Sequence, residues 1–363
     1  MSHRNCQAQR QKSTDSKPKA WYFEKHVKHA PTVHTAHDAK KIKIASTGYI
    51  GVRGKNSAQT FRLDELVGEN SRFKFDLVEW DGITPTPIVD KNSLVVGALA
   101  GKPGSDPTWP DVQLGASGHL DTARSRLVFD KKDKKHRRGN FPALAVGISH
   151  GNGQTSPRMR KHEGPNHSAL EALMEKKEFA RISGFSKRAF AMWAPRLYDY
   201  QNGYLTTLIA HDQELRRNNP ESPELRELEE LRRIWPNTPW AATTFNFGPE
   251  TTCFRQADYG NLAFGWCSVT ALGEYDHTKG GHLILWDMRL VIQFPPGSTI
   301  LIPSCAISHS NARIQKGGLY LHPGFPYGVH VEGGVHMESF HIFFGWWPCQ
   351  SVVKVHMEIT WTP

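Results

Sequence analysis

The 363 residues are enough for one large domain with extensions and a sizeable buried core. With 38% hydrophobic residues, 22% charged residues, 11 Trp and 18 Phe, the composition excludes a wholly disordered chain. A formal net charge of +10 favours polyanionic partners, nucleic acid or an anionic membrane surface, over basic ones, although a basic soluble protein would carry the same balance.

The first residues lack the apolar run of a signal peptide, and no stretch approaches a membrane span. Five scattered cysteines (Cys6, Cys253, Cys267, Cys305, Cys349) form no Cys-x-x-Cys pair, so no disulfide framework, disulfide-linked partner or zinc knuckle is expected. A soluble protein of a reducing, intracellular compartment fits these features.

Residues 1–45 hold ten Lys/Arg against three Asp/Glu, a local charge of +7, and read as a basic, disordered tail. From Phe73, FKFDLVEWDG and TPTPIVDKNSLVVGALAG read as strands of a hairpin at the edge of the folded domain. The cluster KKDKKHRR (131–138) reads as a solvated loop or a phosphate-contacting one, ahead of the apolar FPALAVGIS.

Residues 166–235 read as helical support. Leu170, Leu173 and Phe179 recur at helical spacing, and Ser222 with Pro223 marks a helix start whose apolar face runs through Leu225, Leu228, Leu231 and Ile234. After Trp240 the period changes. HLILWD, RLVIQF and TILIPS are short β-rich runs broken by Gly280-Gly281 and Pro295-Pro296-Gly297, as antiparallel strands of a sandwich or jelly roll would be. Trp266 and Trp286, inside such runs, read as core rather than as platforms for stacked bases.

A non-haem iron site of the facial-triad kind takes two imidazoles and one carboxylate and leaves positions for co-substrate and oxygen. Residues two apart on a strand share a face, so His-x-Asp puts two ligands on one metal while a second His arrives from a distant strand. Gln256-Ala257-Asp258 lies where such a motif would fall, and His309 follows 51 residues after Asp258, at the end of TILIPSCAISHSN.

From Thr244 to Asn311 the chain resembles the Tet/JBP-like dioxygenases expanded in mushroom-forming fungi, through TFNFGP, DYGN, FGWCSVTALG, GGHLILWD and LVIQFPPGSTILIPS. DGITPTPIVD, DPTW, HRRGNFPALAVG and APRLY extend the resemblance over residues 73–318. It implies an α+β fold with a double-stranded β-helix (jelly-roll) core at 240–318 and flanking helices. It also implies Fe(II) and 2-oxoglutarate as cofactors, oxidation of methylated bases, DNA above all, flipped out of the stack, and a nuclear location.

By position, Asp258 matches the carboxylate ligand, His309 the distal His, and Gln256 the place of the first His. An amide oxygen is a weak substitute for imidazole, and neither His277 nor His282 is spaced to replace it. The Arg expected ten or eleven residues beyond the distal His, to grip 2-oxoglutarate, is absent: Leu319 and Tyr320 stand there, no Arg follows Arg313, and Lys316 offers only a point charge. Arg313 is the remaining candidate. Asn246, Tyr259 and Asn261 flank the metal strand as candidate substrate contacts.

The resemblance stops near Leu319, and the tail 319–363 is atypical, as a frameshift or retained intron would make it; its His322, His330, His336 and His341 are irregularly spaced. Three readings stay open: an inactive or impaired dioxygenase-fold protein, an active enzyme with unusual ligation, and a non-enzymatic nucleic-acid-binding protein.

Overall fold

The computed structural model describes residues 20–46, 48–54, 57–150, 154–314 and 339–345. In chain order, α1 (Ala20–His26), β1 (Val33–His34) and a 3-10 turn (Ala39–Lys41) come first, then α2 (Leu63–Leu66), β2 (Asp76–Val78), β3 (Thr86–Val89) and β4 (Val95–Gly101). There follow α3 (Trp109–Arg126), α4 (Lys131–Lys134), β5 (Ala143–Ser149), β6 (Arg158–Met159), α5 (Pro165–Met174), α6 (Lys177–Trp193), α7 (Pro195–Asn218) and α8 (Pro223–Glu227). The last strands are β7 (Ala242–Asn246), β8 (Cys267–Gly273), β9 (Leu283–Leu285), β10 (Leu290–Ile292), β11 (Thr299–Ile302), β12 (His309–Asn311) and β13 (Ser339–Gly345).

The architecture is α+β. A nine-stranded sheet runs β1-β3-β4-β11-β8-β13-β7-β5-β6, and a four-stranded sheet runs β12-β9-β10-β2. Alternation along the strands sorts side chains to the two faces of the larger sheet. Leu99, Val269, Ala271, Ile300 and Ile302 meet Leu283, Leu285, Leu290 and Ile292 of the smaller sheet in one buried cluster. Ala98, Ala100, Phe245, Leu272 and Leu301 turn instead toward the helices, where they pack on Val112, Leu120, Phe179, Ile182 and Phe190. The outer face of the smaller sheet is not left bare: Ile284, Trp286 and Val291 are covered by Phe61, Leu66 and Phe75 from the chain ahead of β2. The order is therefore helices, large sheet, small sheet, cover, each layer burying the apolar face of its neighbour.

Several sequence expectations change in the structure. The first apolar run does not join the second in a hairpin, because β2 pairs in parallel with β10 of the small sheet while β3 and β4 pair antiparallel in the large one. The turn between them redirects the chain: Asp81 Oδ1 accepts the N–H groups of Ile83 and Thr84, both at 2.8 Å, and Gly82 adopts φ +71° where a Cβ would meet the Pro295 ring at 2.9 Å. The basic tail extends less far than its charge implies. Residues 1–19 lie outside the described residues, but β1 pairs in parallel with β3, and Asp90 Oδ2 accepts the Ala39 N–H at 3.2 Å.

Leu225, Leu228, Leu231 and Ile234 do not share one helix, since α8 ends at Glu227. Ser222 caps its start as expected, accepting the Leu225 N–H. Its end is set by a distant residue: the Arg216 guanidinium donates to the carbonyls of Leu225 (2.7 Å), Leu228 (3.0 Å) and Glu229 (3.1 Å), which releases the chain into an extended path. From the atypical tail, β13 inserts between β7 and β8, antiparallel to both; His322, His330 and His336 lie outside the described residues.

Candidate functional site

The run from Cys253 to Asp258 is an extended ribbon held on both sides. Gly139 bridges Cys253, the Phe254 N–H donates to Arg138 O at 2.8 Å, and Gln256 bridges His309 through two backbone bonds of 3.0 and 2.7 Å. The extended conformation puts Gln256 and Asp258 on one face. The bridge to the start of β12 then brings His309 beside them.

Asp258 and His309 are buried and converge. Asp258 Oδ2 lies 3.7 Å from His309 Nε2. His309 Nδ1 is 2.9 Å from the Ile307 carbonyl, which can only accept, so Nδ1 carries the proton and Nε2 is the atom turned to the carboxylate. Two donors on one ion, each with a bond of about 2.1 Å, can lie no more than about 4.2 Å apart, and this pair meets that limit.

The rest of the donor set does not. A guanidinium that sequence reasoning left in a charged loop spans the Gln-Ala-Asp ribbon. Arg137 donates to Asp258 Oδ1 at 2.8 Å and to Ala257 O at 3.1 Å, and its Nη1 lies 3.5 Å from Gln256 Oε1. The amide oxygen that would stand in for the first imidazole thus faces a cation. Among the described residues no group of three His, Cys, Asp or Glu side chains is placed to hold a metal ion. The residues present do not fit an iron centre of the facial-triad kind.

The surrounding cavity, with about 490 Å³ of empty space including its mouth, is lined by Arg138, Asn246, Cys253, Gln256, Asp258 and His309, with Leu283, Phe294 and Asn311 among its other walls. Burial pushes the Asp258 carboxyl up, but His309, Arg137 and Arg138 together outweigh it and hold it below its ordinary range. Burial pushes the Cys253 thiol up to about 12, so it is protonated near neutral pH and is not an activated nucleophile. Asn246, at the end of β7, presents a buried Oδ1 with no hydrogen-bond partner among the described residues.

The other expected site residues are placed elsewhere. Arg313 is exposed, its Nε on Thr60 Oγ1 at 2.7 Å and its N–H on Phe61 O, and it does not line the cavity. Asn261 turns into the protein, donating to Cys267 Sγ at 3.2 Å and Ser304 Oγ at 3.1 Å. Tyr259 stays outside the cavity with the guanidinium groups of Arg53 and Arg137 over its ring at 5.6 and 5.4 Å. His277 and His282 are not among the lining residues. Trp266 and Trp286 are buried, stacked on Phe190 and bonded to Ser310 Oγ respectively. Cys253, Cys267 and Cys305 are free.

Arg137 and Arg138 are what sequence reasoning missed. Their signal was the string HRRGN, legible as basic but without any indication that Gly139 would pair with Cys253 and carry both arginines to the ribbon.

No family profile matches the chain, and no curated protein matches it. Among solved structures, NgTET1 in complex with 5mC DNA superposes with a TM-score of 0.41 at 14% identity, over 78% of this chain and 91% of that one. No helix of the described residues is long and apolar enough to cross a membrane.

Proposed function

We propose that this chain is a Tet/JBP-like dioxygenase-fold protein with a double-stranded β-helix core, related to oxidases of methylated nucleic-acid bases, in which Fe(II) and 2-oxoglutarate chemistry is impaired and nucleic-acid binding is the retained activity. The observation that carries it is the mixed state of the Gln256–Asp258–His309 constellation. Two donors converge at 3.7 Å as a metal site requires, while the third position holds an amide and the carboxylate is bonded to Arg137. A descent from an iron enzyme accounts for the first fact, and loss of its metal for the second.

The long motif strings support the ancestry, and the absence of any Arg after Arg313 supports the loss of the usual co-substrate grip. A net charge of +10 and the basic N-terminal segment support a polyanionic partner, for which a nuclear location is the natural setting.

The test is ferrous-ion uptake after anaerobic reconstitution, measured as bound iron per chain. The natural chain is expected to retain little, and Gln256→His to retain more, because it completes the two-imidazole, one-carboxylate set. Stoichiometric iron in the natural chain, with turnover of 2-oxoglutarate to succinate, would instead establish an active enzyme using Gln256 or water as third ligand. Failure of Gln256→His to gain iron would count against the alignment itself.

A further inference from the structure

Beside the Asp258 cavity lies a larger groove, with about 1770 Å³ of empty space including its mouth, lined by Arg137, Arg138, Arg160, Lys161 and the start of α5 at Gly164–Asn166. Arg138 belongs to the walls of both. The groove's charges are unevenly answered. Asp130 is paired with Lys132 at 3.4 Å, Asp133 folds back to accept the Asp130 N–H at 2.9 Å, and Arg137 is committed to Asp258. Lys161 reaches the Glu227 carbonyl at 3.0 Å.

Arg138 and Arg160 differ from these. Neither guanidinium makes an ion pair or hydrogen bond among the described residues, and of the groove's carboxylates only Glu163 is uncommitted. Both arginines stand on fixed backbone: Arg138 O accepts from Phe254 N, and Arg160 N donates to Gly147 O, each at 2.8 Å. Burial, and after it the charges of Arg137 and Arg160, hold the Arg138 guanidinium below its ordinary range despite Asp258. Arg138 feels Asp258 but makes no bond to it, and an anion in the groove would relieve its repulsion with Arg160 as well as its own desolvation.

A second feature points the same way. Helix α5, ten residues long, enters this groove at Gly164 with no side-chain cap, so the positive end of its dipole faces the same space.

We propose that this groove is a phosphate-binding site, with the Arg138 and Arg160 guanidinium groups gripping the oxygens and the α5 N-terminus facing them. Two forks and a helix end converging from different elements suit the three or more oxygens of a tetrahedral phosphate better than the two of a carboxylate. The phosphate is that of a nucleic-acid strand or a free phosphate ion. The strand arm deepens the nucleic-acid part of the proposed function, whereas the site itself is independent of the iron reading.

The test uses the full chain and Arg160→Gln, a surface change outside the Asp258 cavity, with an unchanged melting temperature as the control for folding. Binding of a labelled single-stranded oligonucleotide is followed by anisotropy across a salt series, with inorganic phosphate and 2-oxoglutarate as competitors. Arg160→Gln is expected to weaken the oligonucleotide about tenfold and to reduce the slope of log K against log salt by about 1. If inorganic phosphate binds the natural chain and not the variant, while the oligonucleotide does not bind, the site stands with free phosphate as its ligand. Equal oligonucleotide affinity and salt slope in both proteins with no phosphate effect, or competition by 2-oxoglutarate but not phosphate, would overturn it. Neither result bears on iron capture by Gln256→His, so the two readings fail separately.

Discussion

Replacing Arg137 by methionine keeps much of the side chain's volume and removes its charge, leaving Asp258 unpaired on its Oδ1 side. The Asp258 side chain is only 8% exposed and that of Arg137 33%, with 2.8 Å between the bonded atoms. Removing one partner of a fully buried pair costs about 3–5 kcal/mol, and the partial exposure of Arg137 lowers the expectation to about 2–4 kcal/mol. Urea denaturation at pH 7.5 measures this directly, as a lower midpoint at unchanged slope. The loss should be smaller in Arg137→Met/Asp258→Asn than the sum of the single changes, because the neutral amide needs no counter-charge.

The same reasoning predicts a gain of metal response. With the guanidinium gone, Asp258 and His309 offer an unbalanced carboxylate and an imidazole to a divalent cation, and Co(II) at 100 times its Kd should restore about 2.7 kcal/mol to Arg137→Met. The natural chain should gain little at the same concentration. A loss below about 1 kcal/mol, the range of a surface pair, together with equal stabilisation of both proteins by Co(II), would refute the view that Arg137 supplies the charge balance a metal would otherwise provide.

Adding Asp258→Asn to Gln256→His should abolish the iron gained by the single change, as counted by metal analysis, since the amide removes the one anionic ligand. His282 is fully buried, and burial, then His277, pulls its pKa down to about 4. The native state therefore holds it neutral while the unfolded chain takes up a proton below about pH 6.5, so its share of stability, about 3 kcal/mol, is present above that pH and is lost as pH falls toward 4. His282→Leu should flatten the fall of the urea midpoint across this window, and an equally steep fall in the variant would remove His282 as its cause. Arg216→Ala should cost about 2–3 kcal/mol in the same assay by freeing three carbonyls, with a midpoint shift under about 0.5 kcal/mol counting against its role in ending α8.

The sequence by itself determined the elements whose causes are local. The short β-rich runs at 283–302 became β9, β10 and β11, Ser222-Pro223 opened a helix, and Leu170, Leu173 and Phe179 were buried on the helix layer. It also placed Gln256 and Asp258 on one face, because that follows from strand geometry alone. What only the tertiary structure decided depended on partners far along the chain. Arg216 ended α8, Asp90 ordered the segment after β1, and β2 left its expected hairpin for a different sheet. Arg137, 121 residues from Asp258, supplied the counter-charge to that buried carboxylate. A hydrogen bond across such a separation leaves no periodicity in the sequence, since the spacing between its partners is set by the path of the intervening fold.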